Sequence, residues 1–215
     1  MSADRESAPT PIGLGFRALK GGAVAVGVAA DGPEPRVVLS TFLATAAERD
    51  RLSLEPYHLA AEMKRGPGGR VSAEAVAAVA EGRKRQGQLA RKGLDDIDRR
   101  LRDAGREPVV AALLVNRAGW ITDLLAYGLS APEHARVAEG LAVREALRSA
   151  FRRRGLQVAE VDEKSLHETA SRSLNLSAAD IDALLKDIGA TVGRPWRKEQ
   201  KLACLAAWIT VAALH

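Results

Sequence analysis

The sequence predicts an α/β fold: a mixed five-stranded sheet, with an antiparallel three-strand meander followed by parallel strands, flanked by helices. Three observations point there. Three β-type segments crowd the N-terminal part, divided by Gly and Pro. Two Val-rich apolar runs then follow, separated by a helical pattern, which implies a right-handed parallel crossover. Finally, 47% of the 215 residues are hydrophobic, enough to bury a sizeable core. The expected organisation is a loose polar tail over 1–11, then a single domain over 12–215 with a helical insertion near 66–105.

The elements follow in order. "IGLGFRA" (12–18), "AVAVGVAA" (23–30) and "RVVLSTFLA" (36–44) read as the meander, with "LKGG" and the strong turn signal "DGPEP" between them. Gly13, Gly15 and Gly27 weaken these strands and mark bulges or close backbone approach. "LEPYHLAAEMKR" (54–65) is helical, and "GPGG" breaks the chain after it. The segment 72–105 carries a long helical pattern in which Ala90, Leu94, Ile97 and Leu101 form one apolar stripe. Ser72 caps its start and Gly105 ends it, while Gly82, Gly87 and Gly93 predict a bend or a hairpin. "REPVVAALLVN" (106–116) suits a strand buried on both faces. "GWITDLLAYGL" is a short connection. Helix 132–155 opens on Pro132 and closes on Arg152–Arg154 and Gly155. "LQVAEVD" (156–162) is the second buried strand. Three helical stretches finish the chain: "EKSLHETASRSL", "SAADIDALLKDIG" capped by Ser177, and the apolar "WRKEQKLACLAAWITVAALH".

Bulk properties exclude several classes. The net charge is +5, which permits contact with nucleic acid or an anionic surface. Cys204 is the single cysteine, so no internal disulfide or Cys/His zinc set can form. The longest apolar run (202–214) is too short to span a bilayer, and the polar N-terminus resembles no signal peptide. A cytoplasmic protein with no membrane partner is the expectation. "GLGFRALKGG" lacks the spacing of a phosphate-binding glycine loop.

Three stretches carry a resemblance to a known family. "GLGFRALKGGAVAV" resembles an opening Gly-Ile-Asp-Pro-Gly with a Thr-Gly and an apolar strand. "GLAVREALRSAFRRRGLQVAEVDEKSLHETA" resembles a helix, a strand and a lysine-bearing segment. "KEQKLACLAAWITVAALH" resembles a C-terminal helix Asp-Ala-Ala-Asp-Ala-Leu-Ala ending near a His. Together with the element order, they resemble the ribonuclease-H-like superfamily, and within it a degenerate RuvC-type Holliday-junction resolvase. The resemblance implies a fold, and a chemistry in which carboxylates on the first strand, the fourth strand and the last helix converge on two divalent metals. The first-strand Asp falls on Gly15. The fourth-strand Glu falls near Val115 or Asn116. The two helix acids fall on Glu199 and Leu202, and the lysine on His167 or Lys164. At most one acid survives, which is too few hard oxygen ligands for a metal site of that kind.

The resulting expectation is a non-catalytic nucleic-acid-binding or assembly protein, a pseudoenzyme with no cofactor. Duplex or branched DNA is the expected ligand, and the resemblance implies a homodimer. Arg17, Lys20, Arg194, Arg197, Lys198 and Lys201 are the expected nucleic-acid contacts, since cation-rich surfaces gain affinity by releasing counterions. Trp196 beside them either stacks on a base or plugs the core. The alternatives are a protein-interaction module, or a nuclease using Mg or Mn with relocated groups: Glu199, Asp162, Glu163 and His167.

Overall fold

The structure is a computed structural model that describes residues 10–29, 32, 34–116 and 120–214. It contains five strands, β1 (Thr10–Leu19), β2 (Gly22–Ala29), β3 (Arg36–Ala44), β4 (Arg106–Val115) and β5 (Gln157–Asp162). The helices are α1 (Arg51–Leu54), α2 (Pro56–Glu62), α3 (Ala73–Arg102), α4 (Leu124–Ser130), α5 (Pro132–Arg154), α6 (Leu166–Leu174), α7 (Ala178–Val192) and α8 (Lys198–Ala212). The sheet order is β3-β2-β1-β4-β5. β1 pairs antiparallel with β2, and β2 with β3, while β4 runs parallel to β1 and to β5. This is the mixed sheet expected from the sequence. Most of the expected N-terminal tail lies outside the described residues. Thr10 and Pro11, assigned to it, already belong to β1.

Strand alternation sorts the core into two layers. Ile12, Leu14 and Phe16 point to one face, where they meet the Leu94–Ile97–Leu101 stripe of α3 and Leu147 and Phe151 of α5. Val24, Val26 and Val28 of β2 point to the other face and pack under α8. α8 is apolar nearly all round because β1, β2 and β4 lie beneath it while α6 and α7 flank it. Gly13, Gly15 and Arg17 share that second face.

The long helix α3 has no break. Two of the three glycines that predict a bend are there for packing: a Cβ at Gly82 would sit 2.3 Å from the Leu52 carbonyl oxygen, and one at Gly93 2.7 Å from Leu43 Cγ. Ser72 caps α3 by accepting from the Ala75 amide, and Ser177 and Asp180 form a capping box on α7. Gly155 closes α5 at φ 70°. A buried carboxylate locks α3 to α5: Asp98 accepts from Arg154 at 2.9 Å and is also paired with Arg102. Arg102 and Arg154 are therefore structural cations. β5, expected to be buried on both faces, is only half-buried and lies at the sheet edge, with no strand beyond it among the described residues. No helix among the described residues is long and apolar enough to cross a membrane.

Candidate functional site

The parallel strands β1, β4 and β5 place their carboxyl ends side by side, which is where ligand sites form in sheets of this kind. Three groups of side chains gather there.

The first is centred on Arg17, at the end of β1. Its Nε donates to Glu163 Oε2 at 3.1 Å and its Nη2 to Glu163 Oε1 at 2.9 Å. Its Nη1 lies 3.7 Å from Glu199 Oε1 in the first turn of α8. Glu163 is fixed by its own amide, which donates to the Val115 carbonyl at 2.9 Å and so extends β5 along β4. All three side chains are mostly shielded, with 19%, 26% and 32% exposure for Arg17, Glu163 and Glu199. Planar two-point pairing with a carboxylate is the strong form of the interaction. Glu163 and Glu199 thus do converge, but on a guanidinium supplied by the chain itself.

Gly15, two residues back on the same face, explains how α8 comes so near. A Cβ at this position would lie 1.8 Å from the Ala203 carbonyl oxygen. No side chain of any kind fits there with α8 in place. The position three after Glu199, Leu202, is on α8 and buried in the core.

The second group lines a cleft of about 510 Å³ beside β4 and β5, containing Asn116, Arg144, Arg148, Glu160 and Asp162. Arg144 donates to Asn116 Oδ1, and Arg148 pairs with Glu160. Burial, reinforced by the like charge of Arg148, weakens the hold of Arg144 on its proton. Its Nε is buried with no hydrogen-bond partner among the described residues. A guanidinium does not release its proton at ordinary pH, so the effect is a site of positive potential short of an anion. Nothing in the helical pattern of α5 marked Arg144 or Arg148. Only the fold shows that they face the strand ends.

The third group surrounds the start of α8. Arg194, Arg197 and Lys198 are exposed and Lys201 is partly so. None of the four forms an ion pair with a described residue. Arg197, Lys198 and Lys201 line a cleft of about 310 Å³ with His167, Asp182 and Trp196. Trp196 is a plug, not a stacking platform. Its indole N–H donates to the Leu185 carbonyl at 2.7 Å, and its ring lies where a Cβ on Gly189 would be 2.1 Å away. His167 lies 3.6 Å from Asp182 and lines this cleft. Lys20 is tied elsewhere, 2.6 Å from Glu55, and with Arg51 it holds that carboxyl down at about 2. Among the described residues no three His, Cys, Asp or Glu side chains come together as a metal-binding cluster.

The architecture is similar to that of solved resolvase structures. Over 94% of this chain and 95% of the other, the fold superposes on Thermus thermophilus RuvC with a TM-score of 0.52 at 12% identity. The fold is the ribonuclease-H-like fold in its RuvC arrangement. The T. thermophilus RuvC in complex with Holliday junction substrate gives a TM-score of 0.51 over 94% of both chains, again at 12% identity. No protein-family model and no curated protein matches the sequence. At this identity the likeness is one of architecture, and the side chains at the RuvC-like strand ends must be judged on their own geometry. There, glycine stands on the first strand, Asn116 follows the fourth, and Leu202 of the last helix is buried in the core.

Proposed function

We propose that this chain is a nucleic-acid-binding protein on a RuvC-like scaffold, and that it works without metal-dependent cleavage. The observation that carries this is the position of Arg17. A cation built into β1 neutralises the two carboxylates, Glu163 and Glu199, that a divalent ion would otherwise bridge. Gly15 supports it, since α8 leaves no room for a first-strand carboxylate. Binding then rests on charge. Arg194, Arg197, Lys198 and Lys201 have no ion-pair partners among the described residues, so each can neutralise a phosphate and release counterions. Arg144 offers a shielded donor in the neighbouring cleft, and guanidinium geometry suits phosphate oxygens. The structural neighbour solved with a Holliday junction makes branched DNA the first ligand to try. A homodimer belongs to the same reading.

The test is a gel shift with duplex and four-way-junction DNA, with and without EDTA. Four phosphate contacts at the α8 start contribute about −3.6 to the log–log salt slope, so affinity falls by at least about 100-fold between ~50 and ~200 mM salt. EDTA should have no effect. Absence of binding at ~50 mM removes the proposal. One observation favours a second reading: Glu163 and Glu199 do meet at one cation. If Arg17 swings out, a single Mg or Mn could take its place, and Mn²⁺-dependent cleavage lost in Glu199→Gln would establish that reading.

A further inference from the structure

On the opposite layer of the molecule, α3 and α5 leave a trough of about 480 Å³ between them. Its floor is made of small residues: Ala80 and Gly87 from α3, Ala142 and Ala146 from α5. Its walls carry Arg83, Lys84 and Arg91 from α3 and Arg153 and Ser149 from α5. Arg83, Gly87 and Arg91 are four residues apart and so lie in line along one helix face. Over eight residues that line extends about 12 Å, the axial length of three to four nucleotide steps of one strand.

Gly87 is the informative residue. Glycine inside a helix is unfavourable, and Gly82 and Gly93 are each required by a close neighbour. Gly87 has nothing within 4 Å of where its Cβ would be. The packing of this chain therefore gives no reason for it. What it does provide is an open floor between two basic turns, with Arg91 Nε turned back onto the Gly87 carbonyl at 3.2 Å. The walls are only partly neutralised. Arg83 pairs with Glu145, Lys84 lies 3.7 Å from Glu81, and Arg153 has no ion-pair partner among the described residues.

We infer that the α3–α5 trough is a second anion site that seats the phosphodiester backbone of a nucleic-acid segment. Glu145 holds Arg83 at one end, while Lys84, Arg91 and Arg153 supply charge and Ser149 a hydroxyl donor. Arg91 and Arg153 favour phosphate over isolated carboxylates because their forked donors match its oxygens. The sheet lies between this trough and the α8 start. One molecule can then hold two segments, or two arms of one branched molecule, on its two layers.

The experiment measures fluorescence anisotropy of a labelled four-way junction across about 50–200 mM salt. The first variant is Gly87→Leu, which fills the floor, leaves every charge in place and raises helix propensity. The second is Lys84→Ala/Arg91→Ala/Arg153→Ala. Arg49→Ala/Arg99→Ala/Arg172→Ala is the charge-matched control, and Arg197→Ala/Lys198→Ala/Lys201→Ala removes the α8 site. The inference predicts at least a fivefold loss of affinity for Gly87→Leu at unchanged charge. It also predicts a salt slope shallower by about 2.7 for the trough triple variant, beyond any change in the control. Wild-type binding by Gly87→Leu, or a trough triple variant that matches the control, overturns the inference. If only the α8 variant loses binding, the trough falls and the α8 interface stands. If only the trough variants lose it, the reverse holds. If Gly87→Leu blocks a polyglutamate probe but not DNA, the trough serves an acidic peptide and the phosphodiester assignment is wrong.

Discussion

Substituting Gly15 by alanine should disrupt the seating of α8 on the sheet. The added Cβ would meet the Ala203 carbonyl oxygen at 1.8 Å, the Ala203 carbonyl carbon at 2.8 Å and the Ala207 amide nitrogen at 3.0 Å. All three are backbone atoms, so no side-chain rotation relieves the clash. Restoring an ordinary separation means lifting α8 by about 1.5 Å, more than the 0.5–1 Å gap that already forfeits a quarter to a half of each contact's dispersion energy. The lost contacts include those of Val24, Val26 and Val28 with the underside of the helix. Overpacking of this kind costs about 1–3 kcal/mol, and a backbone-limited clash belongs at the upper end. In a chain of this size about 3 kcal/mol corresponds to a Tm lower by about 6–12 °C. Thermal unfolding followed by circular dichroism measures it. Gly87→Ala is the internal contrast: with open space at its Cβ, it should be neutral or more stable by about 0.5–1 kcal/mol. A Gly15→Ala protein that melts within about 1 °C of wild type, a shift of at most about 0.5 kcal/mol, would refute the close seating of α8. The case against a carboxylate at position 15 would fall with it.

Other consequences concern charge and reactivity. Glu139 of α5 is buried, and its Oε1 accepts from the Tyr57 and His58 amides at 2.7 and 3.1 Å, capping α2 from a neighbouring helix. Burial outweighs those two donors and lifts the carboxyl to about 7. An acid raised on folding leaves the fold most stable below the unfolded value near 4.3; stability then falls as pH climbs to about 7 and levels off. Glu139→Gln keeps the acceptor and removes the charge. It should therefore be more stable than wild type at pH 8, by up to about 3 kcal/mol, and equal to it at pH 4, as read from urea midpoints. Arg17→Met leaves Glu163 and Glu199 facing each other without their cation. It should lower stability by about 1–3 kcal/mol, and adding Glu163→Gln should recover most of that loss in urea midpoints; no recovery would show a packing role instead. Cys204 of α8 is sealed in the core and burial pushes its thiol up to about 12, so alkylation by iodoacetamide should proceed only as fast as the protein opens.

The meander was legible because Gly and Pro punctuate short β-type runs, and the crossover because β4 is apolar on both faces. Two features misled. Glycines in α3 look like breaks when counted by helix propensity, yet Gly82 and Gly93 mark where α1–α2 and β3 press against the helix. β5 reads as buried because its valines are apolar, but strand order decides which run lies at an edge. The one-turn helix α1, capped by Asp50, is too short to leave a periodic signal. At the site, Glu199 and Glu163 were legible as acids near a helix start and a strand end. The role of Arg17 was not, because its partner Glu163 lies 146 residues away and no spacing connects them. Glu139 was equally hidden, a polar residue within a helix whose function depends on a neighbouring helix end. Trp196 could be placed beside the basic run, but only the carbonyl of Leu185 shows which way the ring is held.

The most direct measurement of the central claim is a Mn²⁺ titration of the protein on an end-labelled four-way junction, resolved on native and denaturing gels side by side. The account predicts a shifted, intact junction at every Mn²⁺ concentration, with the same affinity in EDTA. Strand cleavage that rises with Mn²⁺ and disappears in Glu163→Gln or Glu199→Gln would contradict it, and would make Arg17 a gate to a working metal site instead of its replacement.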